Sequence, residues 1–443
     1  MNTLSSPGER VIGARTLSQG TTGMTRRHSS SLAARSLFRP LFASLCTLIA
    51  CGGLSGQTLL NGPGGAPNLP GTDLAVLEAR EPRRDLLCTV TPQKPSLGFD
   101  LRFHSGFDIT VPLKDLAGSD NTLTVLFRVS LAAKPDSPVY FVKSFNVPPI
   151  EDDARGEANL QGSFDLGEGK YQVDWLMKDR AERVCSSFWD SEAVLGPKDK
   201  GVALTLDAGE IAPTDLEPFE PQPFTTRSEG TNGLNLKVLV NFAPQNEKAS
   251  TLQQTDTSAL VSLLRCMQRD PRIGKFSVVA FNTQEQKVLY RQEGATQIDF
   301  PAIGEAVRTL HLGRVDITRL ANKNSETEFL ADLLVQELEA PDKPDAFVII
   351  GPKTLVEESI PADKLRASPG PDFPVFYLNY NLTPAVTPWR DAISAAVRFF
   401  KGQEYTISKP RDLWFAITEL VGKVVKSKTE KRGAASAALR QGS

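Results

Sequence analysis

Leu236-Lys237-Val238-Leu239-Val240-Asn241-Phe242 is the stretch on which the fold turns, apolar at every position except Lys237 and Asn241. A near-continuous apolar run of this length suits a strand buried on both faces, as in a parallel sheet covered by helices. The sequence beyond it alternates between two periodicities. Leu260, Leu263, Leu264 and Met267 recur at helical spacing, which predicts a helix over Thr255–Gln268 with the Cys266 thiol on its core stripe. Phe276–Phe281 reads as the second strand, with Gln286–Gln292 as its edge hairpin partner. Ser325-Glu326-Thr327-Glu328 has the form of a capping box and opens a helix through Glu339. Ala346–Ile350 and Pro374–Asn379 are further buried strands. Thr387-Pro388 supplies a cap and a first-turn proline for a helix ending at Lys401-Gly402. Glu404–Ser408 is a short strand and Pro410–Val425 a last amphipathic helix, followed by a basic frayed tail over 427–443. Strand and helix in alternation predict an α/β doubly wound, mostly parallel, Rossmann-like sheet over residues 235–426.

Upstream the period falls to two. Phe107, Ile109, Val111 and Leu113 alternate with polar or small partners, as do Leu123, Val125, Phe127 and Val129, and Tyr171, Val173, Trp175 and Met177. Turn-rich breaks separate these runs, so residues 84–207 are expected to form an all-β immunoglobulin-like sandwich. Leu166-Gly167-Glu168-Gly169-Lys170-Tyr171 resembles the approach to a tyrosine corner, which gives Tyr171 a structural task. Cys88 and Cys185 flank the strand-rich region and stand either to pair or to remain two buried thiols. Pro213, Pro218, Pro221 and Pro223, interspersed with acidic residues, mark 208–234 as a semi-extended linker.

The first fifty residues read as an address. Arg26, Arg27, Arg35 and Arg39 precede an apolar run over Leu41–Ala50, the plan of a secretory signal, with Met24 as an alternative start. The run falls short of the about 20 residues a membrane span needs. Leu48-Ile49-Ala50-Cys51-Gly52 resembles the bacterial lipoprotein box, in which Cys51 takes the lipid; ordinary cleavage near Gly56-Gln57 is the alternative. Residues 1–51 are thus a signal region and 52–83 a flexible tether, with export to the cell envelope as the expectation, whether periplasm, outer membrane or exterior.

The order of elements over 235–426 resembles a von Willebrand factor A-type domain. The resemblance rests on the apolar first strand, on Val279-Ala280-Phe281-Asn282, and on Gly313-Arg314-Val315-Asp316-Ile317 at the place of the family's Gly-Thr-Asp loop. With the signal and the strand-rich leader, the chain is similar to the exported, A-domain-related proteins of acidobacteria. The family's domains commonly hold a divalent cation through an Asp-x-Ser-x-Ser loop, a Thr and a later Asp. Here Asn241, Ala243 and Gln245 stand in the first loop, Val315 at the Thr, and Gly351-Pro352 follow the fourth strand. Both carboxylates that would compensate Mg²⁺ dehydration are gone, so the resemblance implies a degenerate, metal-independent adhesion site. Partner-binding loops are expected around Asn241, Gln245, Asp316 and Lys353.

Composition narrows the function further. Fifty Lys plus Arg against 52 Asp plus Glu give a net charge of −2, which argues against a nucleic-acid binder. The 443 residues contain 3 His and 5 Cys, too few to suggest metal or redox chemistry. His104 and His311 fall in different domains, and no nucleophile elbow, phosphate loop or zincin helix is present. The sequence therefore predicts a non-enzymatic, cofactor-free envelope protein that binds a protein or cell-surface partner and meets the membrane only through a lipid anchor. A cation-dependent adhesion module with an atypical site is the second reading, and an exported α/β hydrolase-like enzyme the third.

Overall fold

The strand β10 (Leu234–Asn241) lies at the centre of a six-stranded sheet with the order β12-β11-β10-β13-β14-β15. In this computed structural model the described residues are 58–59, 69–214, 217–221, 233–246, 249–312, 324–354, 360–366 and 370–441. The neighbours of β10 are β11 (Ile273–Asn282) and β13 (Ala346–Pro352), both parallel to it. β14 (Val375–Tyr380) and β15 (Gln403–Ile407) continue in parallel. β12 (Lys287–Ala295) runs antiparallel to β11.

Alternate residues of β10 enter different cores, which explains the unbroken apolar run. Leu236, Val238 and Val240 pack with helices α2 (Gln254–Arg269), α3 (Phe300–Val307) and α7 (Pro410–Gln441). Leu239 faces the opposite core, built with α4 (Ser325–Leu338), α5 (Ala362–Arg366) and α6 (Ala392–Phe399). Each fully buried Val or Leu contributes about 1.5–3 kcal/mol. Lys237 breaks the apolar run yet is buried, because its Nζ lies 2.9 Å from both Glu337 and Asp342.

The strand-rich leader forms two antiparallel sheets, β1-β5-β4-β7-β8 and β2-β3-β6-β9. The first contains β1 (Thr58–Leu59), β4 (Asn121–Leu131), β5 (Lys134–Val147), β7 (Gly169–Lys178) and β8 (Val184–Ala193). The second contains β2 (Thr89–Leu97), β3 (Phe103–Pro112), β6 (Glu157–Leu166) and β9 (Ile211–Pro213). Phe107 meets Phe127 at 5.2 Å and Trp175 at 5.6 Å, edge to face, in the core between the sheets. The Tyr171 hydroxyl donates to Gly167 O at 2.8 Å, the bond a tyrosine corner requires. Cys88 and Cys185 are joined in a disulfide, with Cα atoms 6.2 Å apart, and so tie the start of β2 to β8. A disulfide fits an oxidising compartment. Among the described residues no helix is long and apolar enough to cross a membrane.

The expected fold class is corrected by the strand pairings. An α/β doubly wound, mostly parallel chain with an immunoglobulin-like leader does not describe this protein. It is mostly β among the described residues, two of its three sheets are wholly antiparallel, and the third is mixed. The physical cause at the mixed sheet is the tight turn in which Gln286 N bonds Thr283 O, which folds β12 back against β11.

Four smaller expectations are also corrected. The tether 52–83 contains a helix, α1 (Gly71–Ala79), whose Leu77 packs on Leu126 and Leu176, side chains on the other face of β4 and β7 from the sandwich core. The linker 208–234 begins with β9, which pairs with the end of β6. α6 is capped at Asp391 and starts at Ala392, not at Thr387-Pro388, because the Asp391 carboxylate accepts from Ser394 N and caps the helix there. α7 continues to Gln441 instead of fraying after Lys426, and Lys428 pairs with Asp345 at 2.6 Å on the way.

The leader and the mixed sheet share a core. Leu101 and Val202 are buried in the cluster that covers α2 and α7, and the Phe99 ring lies 5.9 Å from that of Tyr380. Arg411 reaches Asp199 at 3.5 Å.

Candidate functional site

Parallel strands deliver their C-terminal ends to one rim, where loops can differ without disturbing the sheet. Asn241 ends β10 there and is fully buried. Its Nδ2 donates to Thr354 Oγ1 at 3.1 Å and to Thr283 Oγ1 at 3.3 Å, while its Oδ1 accepts from Thr283 N at 3.3 Å. The backbone donor fixes the amide orientation, so the NH₂ end points at the two hydroxyls. Gly351 is needed beside it, since a Cβ at that position would stand 2.8 Å from the Asn241 Cβ.

The next carboxylate inward is Asp391. It accepts from Thr354 N at 2.7 Å, from the Tyr377 hydroxyl at 3.0 Å and from Ser394 N at 2.9 Å. Burial, with the adjacent Asp391 charge, pushes the Tyr377 phenol well above its ordinary range. Asp256 at the start of α2 accepts from Gln245 N at 3.4 Å, and burial raises its carboxyl.

The sequence-predicted residues share the rim but do not converge on one point. Asn241 is sealed in the floor. Gln245 turns toward β14, with Nε2 3.5 Å from Tyr380 O. Lys353 reaches the segment that follows β14, its ammonium donating to Thr387 O at 2.6 Å and to Trp389 O. Asp316 lies outside the described residues, as does Cys51. Sequence reasoning missed Thr283, Thr354 and Asp391, which complete the polar floor. The spacing Asp391-x-x-Ser394 is an N-cap signal and was the legible clue to one of them.

A divalent cation of the kind expected from the resemblance does not fit this floor. A hard divalent ion wants oxygen ligands with compensating negative charge. Here the Asn241 amide presents hydrogens where an oxygen would be required, and both Asp391 oxygens already accept hydrogen bonds.

Above the floor, the segment after β14 displays three apolar side chains. Leu382, Val386 and Trp389 are 41%, 69% and 47% exposed. The loop is held from within, by Asn381 Nδ2 on Thr387 Oγ1 at 2.8 Å, by Thr383 N on Asn381 Oδ1 at 3.1 Å, and by Lys353.

A second polar cluster lies in the sandwich, where the sequence pointed to no histidine site. His104 of β3 bridges two carboxylates, with Nδ1 2.7 Å from Asp165 of β6 and Nε2 3.0 Å from Asp100. Thr214 donates to Asp165 at 2.8 Å, and Arg102 Nη1 lies 3.3 Å from the other Asp165 oxygen. Burial alone would lower the His104 pKa, but the bonds and charges of Asp100 and Asp165 outweigh it and push the value up to about 10. The ring is therefore an imidazolium at neutral pH, and two cations balance two anions. Asp100, His104 and Asp165 bring ligand-type atoms within 4.8 Å of one another, yet both ring nitrogens are already spent on carboxylates.

No protein-family model matches the chain, and no curated protein matches it. Solved structures give weak likenesses. A point mutant of the PilB minor pilin from Streptococcus sanguinis is 7% identical over 68% of this chain and 87% of that one, with a TM-score of 0.27. The structural genomics target SoR45 is 12% identical over 24% of this chain and 86% of that one, with a TM-score of 0.16. The alkylpurine DNA glycosylase AlkC of Pseudomonas fluorescens is 16% identical over 24% of this chain and 30% of that one, also at 0.16. Likeness at these scores decides neither the fold nor the function.

Proposed function

We propose that this protein is an exported, non-enzymatic binding protein that engages a protein partner through the rim at the C-terminal ends of β10, β13 and β14, without a metal ion. The observation that carries the reading is the Lys353-stapled loop, which holds Leu382, Val386 and Trp389 outward over a polar floor whose groups satisfy one another. A preformed apolar surface loses little entropy on binding, and an aromatic side chain at its centre is the usual anchor of such contacts. The resemblance to von Willebrand factor A-type domains enters as a reading of the sequence motifs, and the Asn241 floor supports independence from metal. Export, with lipidation at Cys51, follows from the signal-like N-terminus and agrees with the Cys88–Cys185 disulfide.

The test is photo-crosslinking in cells that produce the chain, from a benzophenone-bearing residue placed at Val386 and, as a control, at Glu192 on the sandwich. A discrete adduct from the first position only, persisting in EDTA, is the expected result. Identical adducts from both positions, no adduct at all, or loss of the adduct in EDTA would each reject the proposal.

A further inference from the structure

Away from the rim, beside the turn that leads into β11, the sandwich and the mixed sheet flank an open cleft of about 820 Å³. This is within the range of small-molecule sites, about 300–1,000 Å³. We propose that it binds a neutral saccharide, with a pyranose ring lying on Trp414 and its hydroxyls turned to Glu220, Thr418 and Arg272.

The walls come from three parts of the chain, and each is held. Leu101 and Leu204 line the cleft from the sandwich, where Thr205 N bonds Leu101 O at 3.0 Å and Thr205 Oγ1 bonds Asp100 O at 3.0 Å. Glu220 and Pro221 form a second side, anchored by Arg265 Nη2 on Glu220 O at 3.2 Å. Trp414 and Thr418 of α7 form the third. Walls fixed in this way leave the space open without a rearrangement, so a ligand need not order them.

The charges of the lining cancel. Arg102 belongs to the cluster beside His104, where Asp100 and Asp165 balance the two cations. Arg272 is held by Asp270, with Nε at 2.9 Å and Nη2 at 2.6 Å. Arg269 and Glu220 remain, one of each sign. An ion of either sign would therefore give up water without meeting a counter-charge, which is costly.

The polar groups with bonds to spare narrow the choice further. Among the described residues the Glu220 carboxylate, the Thr418 hydroxyl and Trp414 Nε1–H bond no protein group, and Arg272 keeps Nη1 after its bonds to Asp270. These are an acceptor, a group that both donates and accepts, and two donors. A wholly apolar guest would strip their water and return nothing. A sugar hydroxyl donates and accepts at once, so one ring can satisfy both kinds. Trp414 supplies the flat wall: the C–H groups of a pyranose carry slight positive charge, and the indole face is negative. The proposal is independent of the rim reading, since none of the lining residues belongs to the rim.

The test is saturation-transfer NMR and calorimetry on the folded full chain with cellobiose, maltose and N,N′-diacetylchitobiose. Sorbitol, glucuronate, glucosamine and N-acetylphenylalaninamide are the controls. The expected result is one saturable site for at least one disaccharide, with the acyclic polyol, both charged sugars and the amide about tenfold weaker or more. Trp414→Ala is expected to weaken the bound sugar about tenfold. Glu220→Ala and Thr418→Val, both at exposed positions, should each weaken it about threefold or more, while Trp389→Ala, at the rim, leaves it unchanged. Circular dichroism shows whether Trp414→Ala is folded, and the two exposed-site variants decide the matter if it is not. Co-sedimentation with cellulose, starch and chitin separates the two sources of such a ring, since retention marks the end of a glycan chain and passage a free sugar. The absence of saturable sugar binding overturns the proposal. So does equal or tighter binding of a charged sugar or the amide, or a sugar affinity indifferent to the cleft substitutions.

Discussion

At the rim, Asn241 meets Thr283 and Thr354 through an amide and two hydroxyls; in the sandwich, Asp165 meets His104, Arg102 and Thr214 through two full charges and one hydroxyl. Both clusters contain a fully buried polar residue, and both join segments distant in sequence. The physics of losing one partner differs between them. A neutral group left without its bond costs the desolvation of a dipole, whereas a buried carboxylate left without its cations costs the desolvation of a charge. The ionic cluster should therefore dominate stability and its pH dependence, and the neutral one should be nearly silent to both pH and cations.

The most severe test removes the Asp165 charge. Asp165→Asn leaves His104⁺ and Arg102⁺ facing a neutral amide, and breaking a buried pair of this kind costs about 3–5 kcal/mol. Urea unfolding of the full chain measures it. A loss under about 1 kcal/mol would show that the sandwich cluster behaves like the rim and would erase the contrast.

The pH profile sharpens the same point. His104 has a folded pKa of about 10, raised from 6.5, so its contribution to stability is complete below pH 6.5 and is lost as pH rises through 10. Asp100 is shifted the other way: burial would raise its carboxyl, but the His104 bond and charge outweigh this and lower it. Its contribution is therefore present above the unfolded carboxylate pKa and disappears only as pH falls through the lowered value. The urea midpoint should decline from neutral to alkaline pH, and His104→Gln should flatten that decline. An unchanged slope in the variant would place the alkaline titration elsewhere.

A smaller effect is expected at the rim. Asn241→Ala deprives the Thr283 and Thr354 hydroxyls of their donor and Thr283 N of its acceptor, worth about 1–3 kcal/mol for groups buried unsatisfied. The loss should be independent of pH between 6 and 10, and neither the wild type nor the variant should gain a saturable thermal shift from Mg²⁺. Micromolar Mg²⁺ binding by the wild type would mean that the amide orientation at Asn241 is wrong.

The sequence could announce β10 because a strand buried on both faces writes itself as an unbroken apolar run. It could not explain Lys237 within that run, since the groups that balance it, Glu337 and Asp342, lie on and after α4. The sandwich cluster was unreadable for the same reason: Asp100 and His104 are four residues apart, but Asp165 and Thr214, which complete the cluster, come from distant segments that only the sheet pairing brings beside them. Leu126 and Leu176 sit between the core-facing residues of β4 and β7, at positions the alternation assigned to polar or small partners, and nothing in the pattern pointed to α1, which covers them. β9 escaped notice because three residues ending in Pro213, set in acidic sequence, carry too little pattern to stand out from a linker. At the rim the departures from the family's ligands were visible in the sequence, whereas the partners that replace them, Thr283, Thr354 and Asp391, were not.

The weakest expected effect on stability falls at Trp389, and it separates a built binding surface from a flaw in packing. Its side chain is 47% exposed, and the loop is tied through Trp389 O, a backbone atom, to Lys353. Trp389→Ser keeps that carbonyl and gives up mainly surface contact, so it should move stability by no more than about 0.5 kcal/mol. Lys353→Met removes the ammonium from two backbone carbonyls and should cost about 1–3 kcal/mol. If Trp389→Ser proves the more damaging of the two, the ring is part of the fold and the rim loses its anchor. If it is silent in urea yet abolishes the crosslinked adduct at Val386, then a large apolar side chain is held in water by a loop that does not need it for folding, and binding is the remaining physical reason for its exposure.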